Sequence, residues 1–420
     1  MNRHIRALLV ALSLVWLVLY ISPMPQTVGA TSSRTLEATF TSNIQNGWVR
    51  VERWRNTNSN FKAEDYPPDG RLDQTGQRRT FFGNVARPAS GRFLLYYAPG
   101  WDTNPRPTPV LLVHGAFENA DWAWANPAES PLGCGTATCP NTGLMQYLRS
   151  LGYKVFAISY PHAAGDNYYW AEQIYDAMQI IKLRTGASKV DIVAWSKGTV
   201  ASRMYVSSVR KHWGTVYAGD VRRLILVGGP NNGWDWPFRH GTYPSLWIFP
   251  ACGGTLLGGS AHTNLICWGF WYYHPELSIY KTSAGDFFPG LRQMLKRLDN
   301  IHPLPYYEPD YWTTYHGGWG FYSYSNGITY AINQGALVDT IRSAGIPASV
   351  ATYILCGGAA DIPNWHNEHT GPSDGTIFVS SCSDTGGIGS VADNVLLSDV
   401  NHMELVWESS AMSQIESWLR

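Results

Sequence analysis

The sequence predicts an α/β protein built on a mostly parallel central sheet flanked by helices. Three observations predict it. Short, wholly apolar runs suited to strands buried on both faces alternate with segments whose apolar residues recur at helical spacing. One of those runs ends in a serine with a small residue two positions before it and another two positions after, where a strand turns into a helix. A single aromatic-rich gap of about 120 residues interrupts an otherwise regular strand–helix rhythm.

Residues 1–30 read as a secretory signal. Arg3 and Arg6 precede an apolar stretch of 15 residues (7–21), and Val28-Gly29-Ala30 is a small-residue cleavage site. Fifteen apolar residues fall short of the ~20 that span a bilayer, which favours cleavage over an uncleaved anchor. Cleavage removes two of 31 basic residues and none of 31 acidic ones, so the net charge becomes 29 − 31 = −2. A nearly neutral chain gives no electrostatic case for nucleic acid or an anionic membrane surface. No pattern in it specifies an oligomer.

Residues 47–54 alternate as a half-exposed antiparallel strand, and 56–79, rich in Pro, Gly and Asn, reads as loop. Phe81-Phe82 and residues 92–98 look like further strands. Prolines at 105, 107 and 109 lead into Val110-Leu111-Leu112-Val113, a run of parallel-strand type. Asn141 is placed to cap a helix with Leu144, Leu148 and Leu151 on one face, closed by Gly152. A strand over 153–160 follows, then a helix over 168–184 with Trp170, Ile174, Ala177, Met178 and Ile181 in register, ended by Gly186. Val190, Ile192 and Val193 form the next strand. After it come Ala194-Trp195-Ser196-Lys197-Gly198 and a helical stretch from Thr199 to about Trp213. Buried strands are expected at 223–227, 350–355 and 394–397, and a last helix at 403–419 carries Leu405, Met412, Ile415 and Leu419 on one face.

Ser196 is the candidate nucleophile. A serine on so tight a turn has its Oγ forced into the open at the top of the sheet, and the residues two before and two after it must be small. Here they are Ala194 and Gly198. Ser283-Ala284-Gly285 and Ser343-Ala344-Gly345 share the spacing but follow no buried-strand run.

Residues 231–349 hold 7 Trp, 11 Tyr and 6 Phe, 24 aromatics in 119 positions, far more chain than one connection needs. We read this stretch as a lid or cap inserted into a catalytic domain formed by 31–230 and 350–420. Trp234, Trp236, Phe238, Trp247, Trp268, Phe270 and Trp271 either wall a site for acyl chains or a lipid surface, or form the insert's own core. The candidates for the substrate wall itself are Phe117, Trp195, Trp234 and Trp236. Six cysteines fall into three local pairs in an exported chain, so Cys134–Cys139, Cys252–Cys267 and Cys356–Cys382 are expected as disulfides. Zinc is the rival reading, but no C-x-x-C spacing occurs.

From the Ser196 turn, the His114-Gly115-Ala116-Phe117-Glu118-Asn119 segment after the 110–113 run, and His402 after the last strand, the chain resembles the α/β-hydrolase superfamily, and within it secreted bacterial lipases and esterases. The resemblance covers most of 110–420. It implies an α/β-hydrolase fold in which the backbone amides of Ala116 and Lys197 form the oxyanion hole and His402 is the base. His114 itself is taken as structural. For the acid, Asp374 in Pro372-Ser373-Asp374-Gly375-Thr376-Ile377 resembles the Asp-Gly segment of secreted lipases. It precedes His402 by 28 residues, whereas the alternative, Asp361, precedes it by 41. Asp399 lies too close to His402 along the strand to reach back to its ring.

The function this implies is a secreted serine hydrolase cleaving carboxylic esters through a Ser196-His402-Asp374 triad and an acyl-enzyme, with no cofactor. Its partner would be an ester or lipid substrate at an interface. An extracellular polyester depolymerase of the same fold and a non-catalytic binding module are the alternatives. His366-Asn367-Glu368-His369 could hold zinc, and nearby aspartates calcium as in some lipases, but nothing fixes a full ligand set and no metal is expected.

Overall fold

Apolar runs without a polar face are satisfied only between two layers, and the chain builds one large sheet around them. The computed structural model describes residues 34–241, 262–267 and 270–420. The signal segment, Trp247, Trp268 and the Cys252–Cys267 pairing lie outside the described residues. In chain order the strands are β1 (Arg34–Phe40), β2 (Arg50–Asn56), β3 (Arg92–Tyr97), β4 (Val110–Val113), β5 (Val155–Ser159), β6 (Val190–Trp195), β7 (Val221–Val227), β8 (His262–Cys267), β9 (Phe270–Tyr273), β10 (Gly318–Trp319), β11 (Ser323–Ser325), β12 (Ala351–Gly357) and β13 (Val391–Leu397).

Nine of them form one sheet in the order β1-β2-β3-β5-β4-β6-β7-β12-β13. From β5 to β13 the neighbours are parallel, while β1, β2 and β3 make an antiparallel flank joined antiparallel to β5. Side chains alternate between the two faces. Leu111, Val113, Ile192, Ala194, Leu224 and Leu226 enter a core shared with the helices Asn167–Thr185 and Lys197–Val206. Val110, Leu112, Val193, Trp195, Ile225 and Val227 enter a second core with the helices Ala120–Trp124, Leu144–Ser150 and Ser409–Leu419. From β4 the chain moves to β5 on one side and then returns to β6 on the other. That reversal opens a crevice beyond the carboxyl ends of β4 and β6, the usual place for a site in such a sheet.

Several local expectations are corrected. Phe81 ends a helix, Gly76–Phe81, and both Phe81 and Phe82 are buried, so tertiary packing overrides their strand preference. Asn141 is not the cap of the helix Leu144–Ser150: Gly143 is, and its N–H donates to the Gln146 side chain at 3.0 Å. The helix after Ser196 stops at Val206, because Ser208 turns left-handed (φ 55°) and the Val209 N–H closes onto the Met204 carbonyl. The last helix begins at Ser409, where the Glu408 side chain accepts from the Ser410 amide, rather than at 403. Strand β1 has no counterpart in the sequence reading.

Between β7 and β12 the chain forms a second, antiparallel sheet in the order β10-β11-β8-β9. Its aromatics divide between core and surface. Phe238, Tyr280, Phe288 and Tyr315 are fully buried and join the first core, whereas Phe270 (68% exposed), Trp271, Trp319 (67%) and Phe321 (79%) face solvent. The sulfurs of Cys134–Cys139 and of Cys356–Cys382 are bonded. Among the described residues no helix is long and apolar enough to cross a membrane.

Candidate active site

The crevice is built first by backbone. Ser196, between β6 and the helix Lys197–Val206, has φ 53° and ψ −127°, a conformation that costs a non-glycine residue energy and persists only where its surroundings enforce it. Its amide donates to the Val227 carbonyl on β7, and its carbonyl accepts from the Thr199 amide and hydroxyl. Gly198 is required by contact: a Cβ there would lie 2.6 Å from the His114 carbonyl oxygen and 2.7 Å from that of Val113. A Cβ at Gly115 would lie 2.8 Å from Ser196 Cβ. Both glycines let the end of β4 close against the serine turn.

His402 follows β13 and is buried. Its Nδ1–H donates to Asp374 Oδ2 at 2.7 Å, and its Nε2 faces Ser196 Oγ at 3.0 Å. The His402 backbone is held on both sides and the ring has room. The His402 amide donates to the Asp374 carbonyl (2.8 Å), the Trp195 indole donates to the His402 carbonyl (3.1 Å), and Gly228 leaves the ring edge free. Asp374 is itself buried, and its Oδ1 accepts from the amides of Thr376 (3.0 Å) and Ile377 (2.7 Å). With one oxygen committed to backbone amides, only the other is presented to the imidazole. Asp361 is exposed and accepts instead from the Asn401 side chain at 2.9 Å.

Ala116 and Lys197, the residues flanking the serine from the ends of β4 and β6, have amides with no protein acceptor among the described residues. The Lys197 amide also begins a ten-residue helix, where N–H groups are unpaired by construction. Phe117 is left-handed (φ 62°), and its amide is taken by the Ala163 carbonyl at 3.1 Å, which fixes the loop that carries Ala116. His114 lies under this loop with Nδ1 2.7 Å from the Gly115 carbonyl, and burial drives its pKa down to about 3, so it is a neutral structural ring. The Lys197 side chain is buried, with Nζ 2.9 Å from the centre of the Trp170 ring. Burial pulls its ammonium well below the usual range, against the opposing charges of Glu64 and Asp166.

Over Ser196 lies a narrow cleft of about 60 Å³, lined by Phe117, Trp195, Trp234, Trp236, Leu291 and Met294, with Leu132, Trp365 and Met403 at its sides. All four wall candidates therefore line it. Trp234 and Trp236 stack 6.1 Å apart, and their indoles donate to the Thr376 and His366 carbonyls, both in the loop that carries Asp374. Phe117 and Leu132 also border a larger groove of about 460 Å³ with polar walls that include Arg71, Asp73, Gln74 and Arg78. Leu132 and Trp365 escaped the sequence reading because each lies in an irregular loop. The Trp365 indole donates to the Leu132 carbonyl across 233 residues. The His366–His369 stretch does not converge as a ligand set: His369 is exposed, and the Asn367 amide group is spent on Ile362.

A nine-stranded, mostly parallel sheet flanked by helices, with a serine at the β6 turn and a histidine after the last strand, defines an α/β-hydrolase fold. The family model of lipase (class 2) matches residues 107–258, so the chain is similar to that family there. Among solved structures it is similar to the mature lipase BlEst2 of Bacillus licheniformis (12% identity, 75% of this chain and 93% of that one, TM-score 0.41). It is similar also to a lipase-esterase related protein of Clostridium acetobutylicum (11%, 77% and 98%, TM-score 0.37). The comparison with curated proteins finds no match.

Proposed function

We propose that the protein is a secreted serine hydrolase that cleaves carboxylic esters, with Ser196 as nucleophile, His402 as general base and acid, and Asp374 as the residue that orients His402. The observation that carries this is the hydrogen-bonded series Asp374–His402–Ser196 beneath an apolar cleft. His402 Nε2 takes the Ser196 proton while Oγ bonds to the ester carbonyl carbon, and the Ala116 and Lys197 amides receive the oxyanion. Collapse breaks the bond to the alcohol oxygen, which leaves with the proton from His402. Water, deprotonated by the same nitrogen, then releases the acid and restores Ser196. Asp374 holds Nδ1–H, which keeps Nε2 as the acceptor and stabilises the imidazolium. No step requires a cofactor.

The insert, residues 231–349, acts as the cap. Its Trp234, Trp236, Leu291 and Met294 close the cleft to about 60 Å³, well under the roughly 300 Å³ at the small end of ligand sites, so acyl chains enter only as these side chains move. The exposed aromatics of the second sheet suit a substrate presented as a surface, an emulsion droplet or a polyester film. Export is supported by the two disulfides, which persist in oxidising compartments.

The test is labelling with a fluorophosphonate followed by peptide mapping, alongside p-nitrophenyl esters of increasing chain length, emulsified triglyceride and polyester film. A single adduct on Ser196 and turnover of apolar esters are expected. A wild-type chain that takes no label and hydrolyses none of these esters would instead be a binding module.

A further inference from the structure

A second group of side chains lies behind the cleft wall, on the far side of the loop that carries Asp374. His240 follows the short helix Trp236–Arg239, Glu308 sits in a turn closed by its own amide on the Pro305 carbonyl, and His366 lies in the loop after β12. One ligand atom from each of the three falls within 4.8 Å of the others. His240 and Glu308 are more than nine-tenths buried, at 1% and 6% exposure.

The hydrogen bonding around them leaves two buried acceptor atoms without donors among the described residues. His240 Nε2 lies 2.9 Å from Glu368 Oε2, and Arg239 Nε lies 3.3 Å from the same oxygen. A carboxylate held by arginine only accepts, so Nε2 carries the ring proton and Nδ1 is left as a bare acceptor. That Nδ1 is buried and has no hydrogen-bond partner among the described residues. Glu308 Oε1 takes His366 Nε2–H at 2.9 Å, while Glu308 Oε2 is likewise buried without a donor. Two buried acceptors without donors are costly, and a proton donor could satisfy only one at a time. A cation satisfies both.

We propose that His240, Glu308 and His366 bind one Zn²⁺ ion. Two imidazoles and one carboxylate form a donor set suited to zinc, whereas Ca²⁺ and Mg²⁺ require oxygen ligands throughout. Glu368 is the outer carboxylate that fixes the His240 ring, the usual support of a metal-binding histidine. The ion displaces the proton that His366 and Glu308 share, and water completes the tetrahedron. Its place is structural. It clips the first helix of the insert and the 305–309 turn to the loop that supplies Asp374. The His366 carbonyl also receives the Trp236 indole (3.0 Å), so the ion braces the cleft wall. This departs from the sequence expectation of no metal, and it does not rest on the proposed reaction.

The test uses the untagged secreted chain, stripped with EDTA, re-equilibrated with ZnCl₂ and dialysed. Elemental analysis is expected to find one zinc per chain, and Co²⁺ in its place should give the intense visible bands of a tetrahedral site. Zinc should raise Tm by about 2–4 °C or more, equally in wild type and Ser196→Ala. Glu308→Gln and His366→Asn should lose the stoichiometric ion and the Tm response. A wild-type chain that retains no zinc, folded variants that retain it fully, or an equal response to Ca²⁺ or Mg²⁺ alone would each overturn the site. If the variants fail to fold, the wild-type metal content decides by itself.

Discussion

Two buried imidazoles in this molecule are held by carboxylates only six positions apart on one loop, His240 by Glu368 and His402 by Asp374. Their near nitrogens are equivalent, 2.9 and 2.7 Å from a carboxylate oxygen. Their far nitrogens are not. That of His402 faces a serine hydroxyl at the floor of an apolar cleft, and that of His240 is buried without a hydrogen-bond partner among the described residues, in a group with Glu308 and His366. A carboxylate–imidazole pair therefore assigns no role by itself. In the roles proposed here, a hydroxyl beyond the ring makes it a proton acceptor for catalysis, and a buried carboxylate and a second imidazole beside it make it a ligand.

The largest effects should separate the two pairs. Ser196→Ala is expected to lower kcat by about 10⁶-fold with the fold intact, since loss of the nucleophile removes the covalent step. Asp374→Asn should cost about 10⁴-fold in kcat, because the ring loses the partner that fixes its tautomer. Glu368→Gln and Asp361→Asn should each leave kcat near wild type in the same p-nitrophenyl ester assay. A loss at Glu368→Gln as deep as that at Asp374→Asn would erase the distinction between the pairs. A deep loss at Asp361→Asn alone would move the acid.

How much of this was legible follows from what local sequence encodes. The β4, β6 and β7 strands and the Ser196 turn announce themselves, because burial on both faces demands unbroken apolar runs and a tight turn demands small neighbours. Asp374 was approachable through its spacing to His402 and its Asp-Gly context. The amide pair that singles out one of its oxygens is visible only in the folded loop. His240 and Glu308 gave no signal. They are 68 residues apart, flanked by aromatics and prolines, and meet His366 only through folding of the insert. The same holds for the insert's aromatics, since composition predicts their number but not which are buried, as Phe238 is, and which are exposed, as Phe321 is.

A third buried carboxyl sharpens the contrast, because among the described residues no imidazole bonds to it. Glu118, beside the proposed oxyanion loop, is 2% exposed, and among the described residues its only hydrogen-bond partner is the Ser130 hydroxyl. Burial raises its pKa to about 8, outweighing the Ser130 bond and the charge of Arg78. Its folded pKa lies above the unfolded one, so its contribution is fully present below about pH 4.5 and lost as pH rises toward 8. That loss is on the order of 4 kcal/mol. Glu118→Gln should therefore match wild type in urea unfolding near pH 4.5 and be the more stable of the two at pH 8. Parallel stability profiles for the two proteins would show that the acid is solvated and that burial alone does not set its state.

The smallest effect we expect is also the one that joins the two pairs. Cys356 lies near the end of β12 and Cys382 ends the short helix Val379–Cys382, so their bond closes 26 residues that contain His366, Glu368 and Asp374 together. In the chain-entropy account a loop of that length is worth about 3 kcal/mol, gained by restricting the unfolded chain. Replacing both cysteines by serine should lower unfolding stability by about that amount at every pH. The native hydrogen bonds at Asp374 are made locally by the amides of Thr376 and Ile377, so they do not need the bond to form. Below the unfolding transition, kcat should therefore stay near wild type, and zinc should still be retained. A variant that keeps its stability but loses both turnover and the ion would show that the disulfide sets the loop's native geometry. The two imidazole pairs would then be one mechanical unit and not two independent ones.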